Sequence, residues 1–401
     1  MAKIARSYEA VLRHHLGTHR QMAFVSGPRQ VGKTTSCRRV ADRCVYLDWD
    51  DQDDRRLILR GPRAVVAETG IEQLATESPV LVLDELHKYR RWRTFLKGLF
   101  DRYAEQLRVI VTGSSRLDLY RRGGDSLMGR FLPYRMHPLS VGELLRPQVP
   151  EHEIEAPSPL SPAKMNALWE HGGFPEPFAK RDARFSRRWR QLRQELLVRE
   201  DVRDMTRIQE LAQLQILVNL LRERSAGQVN YSNLARETNV AVDTMRRWIT
   251  TLCTLHHGFL VRPWFRNVAK SLRKEPKWYL RDWSGIRDPG QRAETFVACH
   301  LLKAVEMWED LGFGAFQLRY LRDKQKREVD FLVVRDDRPW FMAEVKAGDT
   351  SLSPALSHFR EQIGAEHCFQ VVTDLPFTQA DCFARCDPCV VPARTFLSQL
   401  P

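Results

Sequence analysis

Three apolar runs, each followed by polar residues, organise the first third of the chain. Met22 to Val25 precedes a glycine loop, PVLVLDE occupies residues 79–85, and RVIVTGSS occupies residues 108–115. Unbroken apolar runs of this length are typical of parallel strands buried on both faces. Helical stretches separate the runs, so the pattern predicts an α/β fold with a doubly wound parallel sheet. Such sheets bind their ligands at the carboxyl ends of the strands.

The loop after the first run, GPRQVGKT at residues 27–34, has the spacing G-x-x-x-x-G-K-[ST] between a strand and a helix. Gly27 and Gly32 let the backbone curl so that its N–H groups face phosphate oxygens, and the following helix adds its positive end. We expect Lys33 to reach the β- and γ-phosphates of ATP, and Thr34 to hold Mg²⁺. The residues expected to bind the nucleotide form one continuous stretch, Gly27, Pro28, Arg29, Gln30, Val31, Gly32, Lys33, Thr34 and Thr35. A chance glycine loop before a helix is the alternative.

Two acidic residues end the second apolar run. Asp84 is placed to hold Mg²⁺ through water, and Glu85 to polarise the attacking water, which would make the protein a hydrolase. A carboxylate that only caps a helix is the alternative role for Glu85. After the third run, Thr112, Ser114 and Ser115 are candidates to sense the γ-phosphate or to orient the water, and Ser114 is included in the nucleotide site.

The segment SLMGRFLPYRMHPLS at residues 126–140 supplies a candidate arginine finger, Arg130, for the site of a neighbouring subunit. Such a group is worth roughly 10³- to 10⁵-fold in rate where it operates. Arg121, Arg122 and Arg135 compete for this role, and an ordinary surface arginine is an equal alternative.

The middle of the chain contains a linker and a helix pair. Residues 146–162 are rich in proline and acidic residues and lack periodicity, whereas residues 180–206 read as a solvated helix with paired charges. Residues 231–253 have the spacing of a helix-turn-helix, with Arg246 and Arg247 on the second helix. GFLVRPWFRN then resembles a wing, and the basic residues that follow it suit phosphate contacts: Lys270, Arg273, Lys274 and Lys277. A packing or oligomer module is the alternative.

The last part of the chain changes pattern. Residues 291–308 predict an amphipathic helix with Phe296, Val297, Leu301 and Ala304 on its buried side. The runs FQLRYLRD, EVDFLVV, WFMAEVKA and HCFQVVT read as strands, with a helix between the last two. The expected order is therefore helix, three strands, helix and strand.

The chain resembles a family of prokaryotic AAA+-type P-loop ATPases with a C-terminal PD-(D/E)XK nuclease-fold domain. The resemblance rests on SGPRQVGKTT, VLDELHK, VTGSS, SLMGR, HPLS and GGFPEP, and it covers nearly the whole chain. It implies a P-loop module, a helical lid, a winged-helix-like segment and a restriction-endonuclease-like αβββαβ domain. His87 departs from the family, which often has glutamine at this position. The implied divisions are residues 1–145 for the ATPase core, 146–205 for linker and lid, 206–280 for the winged-helix-like segment and 281–401 for the nuclease-like domain.

The same resemblance assigns Asp330, Glu344 and Lys346 to the D…E-x-K positions, with Glu294 as an extra acid on the first helix. Carboxylates suit Mg²⁺ or Mn²⁺, which would neutralise a scissile phosphate and generate hydroxide. Lys346 would position or activate that water. Alternation along a strand puts Glu344 and Lys346 on one face. A solvated hairpin with an ordinary Glu–Lys pair is the alternative.

Composition bears on the binding partner of the protein and on its cellular compartment. The net charge of +13 favours a polyanion, above all DNA. No apolar run reaches the roughly 18 residues of a membrane span, and the start MAKIARSYEA lacks the apolar stretch of a signal peptide, so we expect a cytoplasmic protein without a membrane partner. Its 8 cysteines are then expected to be reduced thiols, although Cys382, Cys386 and Cys389, with Cys299 or Cys368, form an alternative cluster site.

Together these features predict an ATP-hydrolysing protein that acts on DNA as a homo-oligomer, in a ring or partial ring, with a Mg²⁺- or Mn²⁺-dependent nuclease-fold domain that binds or cuts DNA. Two alternatives stay open from the sequence. One is a DNA-remodelling or branch-migrating ATPase without cleavage. The other is an ATP-dependent regulatory switch that binds a protein partner.

Overall fold

The computed structural model describes residues 4–71, 78–113, 127–198, 210–265 and 274–401. The chain divides into two compact units. The first comprises Lys3–His137 with Pro147–Val149, and the second comprises Pro138–Arg146 with Pro150–Pro401.

The first unit contains a sheet of five parallel strands in the order β2-β3-β4-β1-β5. The apolar runs become β1, β3 and β4, and β1 and β3 are buried along their whole length. The edge strands β2 and β5 carry weaker apolar patterns and were not anticipated from the sequence. The strands are β1 (Met22–Ser26), β2 (Cys44–Asp48), β3 (Val80–Asp84), β4 (Arg108–Thr112) and β5 (Phe131–Arg135).

Helices cover this sheet and complete its core. One apolar cluster contains Phe24 of β1, Leu83 of β3 and Val111 of β4. Leu96 and Leu99 of the helix Trp92–Tyr103 pack against them in the same cluster. A 3₁₀ turn, Leu86–Lys88, follows β3 directly. The helices are α1 (Ser7–Thr18), α2 (Lys33–Cys37), α3 (Gln52–Leu59), α4 (Pro62–Glu68) and α5 (Trp92–Tyr103).

The second unit begins with helices. A helix pair at Tyr231–Glu237 and Val242–Thr254 flanks a turn in which Asn239 has φ +54°. The apolar side expected for the second helix, Met245, Trp248, Ile249 and Leu252, is buried. The helices up to this point are α6 (Val141–Leu145), α7 (Pro162–His171), α8 (Pro175–Lys180), α9 (Ala183–Leu196), α10 (Leu211–Glu223), α11 (Tyr231–Glu237) and α12 (Val242–Thr254).

A mixed sheet in the order β12-β11-β10-β9-β8-β6-β7 joins the rest of this unit. β8, β9 and β10 pair antiparallel, whereas β10, β11 and β12 pair parallel. The antiparallel hairpin β6–β7, expected as a wing, shares this sheet because β6 pairs with β8. The strands are β6 (Gly258–Pro263), β7 (Lys277–Leu280), β8 (Phe316–Arg322), β9 (Glu328–Arg335), β10 (Arg338–Lys346), β11 (His367–Val372) and β12 (Cys389–Pro392).

The long helix expected from residues 291–308 packs against this sheet. It begins after Asp288, whose carboxylate accepts a hydrogen bond from the N–H of Gln291, and Pro289 occupies its first turn. The helices of this region are α13 (Pro289–Asp310), α14 (Pro354–Ile363) and α15 (Ala393–Ser398). 3₁₀ turns span Trp283–Gly285 and Cys382–Ala384. Among the helices of the described residues, none has the length and apolar character that a membrane crossing demands.

Candidate nucleotide site and carboxylate cluster

The glycine loop between β1 and α2 contains two glycines with positive φ, and Gln30 between them also has φ +63°. Gly27 has φ +148°, and a Cβ atom there would lie 2.3 Å from the carbonyl oxygen of Met136. Gly32 has φ +103° and precedes α2. Helix α2 spans only the 5 residues Lys33–Cys37, so its dipole is small. Anion binding at this loop therefore falls mainly to its N–H groups, with less from the helix end than the sequence suggested.

Lys33 folds back over this loop. Its Nζ atom donates to the carbonyl oxygens of Gly27 at 2.8 Å and Pro28 at 2.9 Å. Burial lowers the pKa of Lys33, although Glu85 and Asp84 act in the opposite direction. The ammonium group thus rests on neutral acceptors, from which a negatively charged ligand can draw it.

Asp84 at the end of β3 accepts three hydroxyl hydrogen bonds. Thr34 donates at 2.8 Å, and Tyr46 and Thr112 also donate to its carboxylate. Burial alone would raise the pKa of Asp84, but the bonds from Thr112, Tyr46 and Thr34 outweigh it and lower this pKa. Thr112, one of the candidates for γ-phosphate sensing, is hydrogen-bonded to Asp84 instead. The contact of Thr34 with Asp84 fits the oxygen ligands that Mg²⁺ prefers, so these two residues would hold the ion.

Glu85 occupies the left-handed region, with φ +53° and ψ +20°, which is costly for a residue with a side chain. Its Oε2 atom is buried and accepts no hydrogen bond within the described residues. It lies 3.6 Å from Nε2 of His87 and 3.5 Å from Nζ of Lys88. Burial raises the pKa of Glu85. A strained carboxylate with an open acceptor oxygen suits the orientation of a water molecule.

Arg6 and Tyr46 support this site, and sequence reasoning missed both. Arg6 donates 2.6 Å hydrogen bonds to the carbonyl oxygens of Val31 in the loop and His137 after β5. Tyr46 reaches Asp84 from the adjacent strand β2. The available signal for Arg6 was weak, because a single arginine before an amphipathic helix predicts no partner more than a hundred residues away.

Arg130 lies just before β5 and forms a two-point ion pair with Asp101. Its Nε and Nη2 atoms donate to the two carboxylate oxygens at 2.7 and 3.1 Å. The pair is partly exposed, so its net contribution to stability is small. Ser114, Ser115, Arg121 and Arg122 lie outside the described residues.

A second group of charges, called the carboxylate cluster, lies in the second unit and comprises Glu294, Glu328, Asp330 and Glu344 with Lys277 and Lys346. Nζ of Lys277 lies 2.6 Å from Oε1 of Glu328, 2.9 Å from Oε1 of Glu294 and 3.0 Å from Oδ1 of Asp330. Only 4% of the Lys277 side chain is exposed. The hydroxyl of Tyr279 donates to the same Glu294 oxygen at 2.6 Å.

The other half of the carboxylate cluster joins β9 to β10. The N–H of Val345 donates to Oδ2 of Asp330 at 3.0 Å, and the N–H of Asp330 donates to Glu344 at 3.3 Å. Lys346, partly exposed, donates to Oε1 of Glu344 at 2.9 Å. The structure therefore brings together the four residues that the resemblance assigned to a nuclease site, Glu294, Asp330, Glu344 and Lys346.

Electrostatics in the cluster follow from four carboxylates and two ammonium groups. Burial, and then the Asp330 charge, raise the pKa of Glu294 to about 8 and that of Glu344 to about 7. Burial opposes the charged form of Lys277, but Tyr279, Asp330, Glu294 and Glu328 together hold its pKa well above the usual value. Burial and the Asp330 charge thus favour the neutral form of the two glutamates, whereas the surrounding acidic groups outweigh burial at Lys277.

The position of Lys277 corrects one expectation and bears on another. Lys277 was expected to contact DNA phosphate, but it is buried because β7 turns it onto the same face as Tyr279. The predicted metal ligands Glu294, Asp330 and Glu344 are near one another, yet the ammonium group of Lys277 already pairs with oxygens of Glu294 and Asp330. Across the described parts of the chain, no group of three or more His, Cys, Asp or Glu residues is arranged to hold a metal ion. As it stands, this set does not fit a divalent ion.

The helix pair presents exposed basic residues. Arg246 and Arg247 on α12 are exposed, as is Lys274 before β7. The Arg246 guanidinium lies 4.6 Å from the ring centre of Tyr231, and Arg247 donates to Thr244 at 3.0 Å. Lys270 and Arg273 fall outside the described residues.

The cysteines are free thiols, among them the candidate cluster ligands Cys299, Cys368, Cys382, Cys386 and Cys389. Burial raises the pKa of Cys368 to about 11 and that of Cys382 to about 12, so both remain protonated at neutral pH. Cys299 donates to the carbonyl oxygen of Leu280 at 3.2 Å. These features describe structural thiols.

Three family models match consecutive parts of the chain. Residues 19–145 match the model described as an AAA domain. Residues 163–287 and 289–376 match two models described as domains of unknown function, DUF8612 and DUF4143. The first match confirms the P-loop AAA prediction, so the first unit contains a P-loop domain of the AAA class. The nuclease fold of the last part stays a prediction.

Two curated relatives share most of the chain. They are uncharacterized proteins of Mycobacterium tuberculosis (Rv2008c) and Mycobacterium bovis (Mb2031c), each 25% identical over 361 residues, which is 87% of this chain and 76% of the relative. Among solved structures, the Aeropyrum pernix ORC1 protein in complex with DNA is 14% identical, covers 74% of this chain and 93% of its own, and has a TM-score of 0.33. AMPPCP-bound DnaA from Aquifex aeolicus is 13% identical. The match covers 61% of this chain and 86% of the DnaA chain, with a TM-score of 0.32. Both structural likenesses are too loose to support an argument.

Proposed function

We propose that this protein binds and hydrolyses ATP at its P-loop and uses the nucleotide cycle to act on DNA. The observation that carries the first half is the convergence of three groups at the carboxyl ends of β1 and β3. Lys33 rests on neutral carbonyls, Thr34 contacts Asp84, and Glu85 holds an acceptor oxygen with no hydrogen bond.

Each group has a part in phosphoryl chemistry. The loop N–H groups and Lys33 would hold the β- and γ-phosphates, and binding would draw the ammonium group away from Gly27 and Pro28. Thr34 and Asp84 would hold Mg²⁺, which neutralises the charge that develops on the phosphate oxygens. Glu85 would orient the attacking water, and the sequence adds Ser114 as a further candidate for this role.

The test measures ATP binding and phosphate release for the full chain and three variants. We expect Lys33→Ala to lower hydrolysis by about 10²-fold or more, because it removes a charge that stabilises the transition state. Glu85→Gln should lower hydrolysis by about 10²- to 10⁴-fold while ATP still binds. Lys97→Ala removes an exposed lysine from α5 and serves as the charge-matched control. Hydrolysis unchanged in Glu85→Gln would remove Glu85 from the mechanism.

The DNA half of the proposal rests on the second unit. Helices α11 and α12, followed by the antiparallel strands β6 and β7, have the order of a winged helix. An isolated antiparallel β-bridge between Gln228 and Lys277 extends the pairing beyond these two strands. Arg246 and Arg247 are exposed on α12. With the net charge of +13, these features support contact with the phosphates of DNA.

Salt dependence tests this contact. A protein that makes 6 to 10 phosphate contacts loses about 10³- to 10⁵-fold in affinity between 50 and 200 mM salt. The double variant Arg246→Ala, Arg247→Ala should reduce the slope of log affinity against log salt by about 2. The pair Arg187→Ala, Arg188→Ala removes two exposed arginines from α9 and is the matched control. A flat salt response of the wild type would argue for the regulatory switch that binds a protein partner.

For the last part of the chain we propose a nuclease-like fold that holds DNA. Helix α13, strands β8 to β10, helix α14 and strand β11 follow the order expected for that fold. Between the two forms predicted from the sequence, cleaving and non-cleaving, the pairing of Lys277 with Glu294, Glu328 and Asp330 favours the form without cleavage. Plasmid and branched DNA incubated with ATP and Mg²⁺ or Mn²⁺ should remain intact. Cutting that is lost in Asp330→Ala would restore the nuclease proposal.

We also propose that the active form is a homo-oligomer in which Arg130 serves a neighbouring site, after release from Asp101. Mixing Arg130→Ala chains with Lys33→Ala chains tests this directly. If Arg130 acts between subunits, the Lys33→Ala chain supplies the arginine to an intact P-loop and hydrolysis partly recovers. Asp101→Asn, which removes the ion pair and keeps Arg130, is the control. No recovery in the mixture, together with normal hydrolysis in Arg130→Ala, would leave the residue a surface ion pair.

A further inference from the structure

The ammonium group of Lys277 lies among three carboxylates. It donates hydrogen bonds to Glu294 at 2.9 Å and Asp330 at 3.0 Å, and an oxygen of Glu328 lies 2.6 Å away in an ion pair. These oxygens come from two elements, helix α13 and strand β9. The three side chains thus converge on one cationic atom, as carboxylates converge on a bound ion.

The same oxygens cannot serve a divalent ion while Lys277 is present. Mg²⁺ requires oxygen atoms at about 2.0–2.1 Å in near-octahedral geometry. An ion at that distance from the Glu294 and Asp330 oxygens would lie beside the ammonium group, with strong repulsion at low dielectric. Binding of the ion would therefore require the lysine to leave.

Surrounding groups hold Lys277 in place. Its side chain is 4% exposed, its backbone pairs with Val261 in β6, and the ring of Tyr320 lies 5.7 Å from its Nζ atom. The Tyr279 hydroxyl fixes Glu294 at 2.6 Å from the other side. Moving the ammonium group elsewhere would leave a buried charge without its partners, which is strongly unfavourable.

We propose that Lys277 is the built-in cation of the carboxylate cluster, and that the second unit keeps these acidic residues in place without a divalent ion. The proposal goes beyond ATP hydrolysis and does not depend on it. The proposal also predicts that the cluster gains affinity for a divalent ion when Lys277 is removed. Loss of the lysine side chain and its charge leaves three carboxylates around the position that the ammonium group occupied.

The experiment measures Mn²⁺ binding to the full chain without nucleotide, by the loss of the free Mn²⁺ electron paramagnetic resonance signal. We expect no binding at this site in the wild type, so that Asp330→Asn leaves the titration unchanged. Lys277→Ala should bind about one Mn²⁺ per chain, and Mn²⁺ should raise its unfolding temperature. Adding Asp330→Asn to Lys277→Ala should abolish both effects.

Lys303→Ala is the matched control. Lys303 is also a buried lysine, and its Nζ atom donates to a carboxylate, Glu143 at 2.6 Å, and to a hydroxyl, Ser140 at 2.8 Å. Its removal should lower stability without creating Mn²⁺ binding or rescue by Mn²⁺. Wild-type binding that is lost in Asp330→Asn would overturn the proposal, and this comparison needs no folded Lys277 variant. A folded Lys277→Ala protein that takes up no Mn²⁺ would overturn it as well.

Discussion

Lys33 and Lys277 are both buried lysines, with 7% and 3% of their surfaces exposed, yet their partners differ in kind. Lys33 is held by two neutral carbonyl oxygens, and burial lowers its pKa. Lys277 is held by three carboxylates, which keep its pKa well above the usual value. A lysine on neutral acceptors gains when a phosphate arrives, whereas a lysine already neutralised by carboxylates has nothing to gain from an anion. The partners, more than the burial, separate a ligand-binding lysine from a structural one.

The largest expected effect comes from exchanging each lysine for methionine. Lys277→Met removes the counter-ion of buried Asp330 and of the half-buried Glu294 and Glu328, so the second unit should lose about 3 kcal/mol of unfolding free energy. Lys33→Met leaves two loop carbonyls without a donor, and the first unit should lose about 1 kcal/mol. Urea unfolding measures both losses. For ATP binding, Lys33→Met should have the larger effect of the two substitutions: it should abolish binding, whereas Lys277→Met should retain it. Equal losses of stability would erase the distinction between the two lysines.

Each unit contains a buried histidine fixed in its neutral form, which makes its unfolding free energy fall in acid. In the second unit His257, whose pKa burial lowers to about 3, adds to this fall, whereas the raised pKa values of Glu294 and Glu344 oppose it. Tyr134 contacts Nδ1 of His15 while Nε2 faces the Gln21 carbonyl, and the Val141 N–H donates to Nε2 of His300. Burial lowers the pKa of His15 to about 4 and that of His300 to about 3. The unfolded chain therefore takes up protons first, so each contribution is complete above about pH 6.5 and is lost as the pH falls toward the folded values.

At pH 5 the loss should be about 2 kcal/mol for each histidine, compared with pH 7. The difference between wild type and variant in urea unfolding at the two pH values measures it, since His15→Gln and His300→Gln should each remove that histidine's share of the pH dependence. A variant that keeps the full wild-type dependence would assign the acid sensitivity to other groups.

Local signals made the P-loop predictable. Gly27, Gly32 and Lys33 fall within one short loop, and Asp84 follows an apolar run directly, so strand pattern and motif spacing sufficed. The edge strand β2, and with it the contact of Tyr46 with Asp84, could not be inferred, because a half-buried strand has no distinctive pattern. The order of elements from α13 to β11 was predictable for the same reason as the P-loop, since each element carries its own periodicity.

Lys277 shows where such reasoning ends. Its carboxylate partners Glu294 and Asp330 lie 17 and 53 residues away, and a basic residue near other basic residues predicts a surface contact. The useful signal was the alternation in KWYL, which puts Lys277 and Tyr279 on one face of a short apolar strand. Sheet pairing across β6, β8 and β9 then decides which acids that face meets, and no local pattern encodes it.

The smallest expected effects come from two tyrosines in equivalent roles. Tyr46 donates to Asp84 in the nucleotide site, and Tyr279 donates to Glu294 in the carboxylate cluster. Replacing either with phenylalanine removes one hydrogen bond and should cost about 1 kcal/mol of unfolding free energy. Only Tyr46→Phe should also slow ATP hydrolysis, by a few-fold, because Thr34 and Thr112 continue to hold Asp84. Steady-state phosphate release measures the effect on hydrolysis, and urea unfolding measures the effect on stability. Slower hydrolysis in Tyr279→Phe would show that the carboxylate cluster influences the nucleotide cycle. The nucleotide site around Lys33 and the cluster around Lys277 would then be coupled, and Lys277 would not be purely structural.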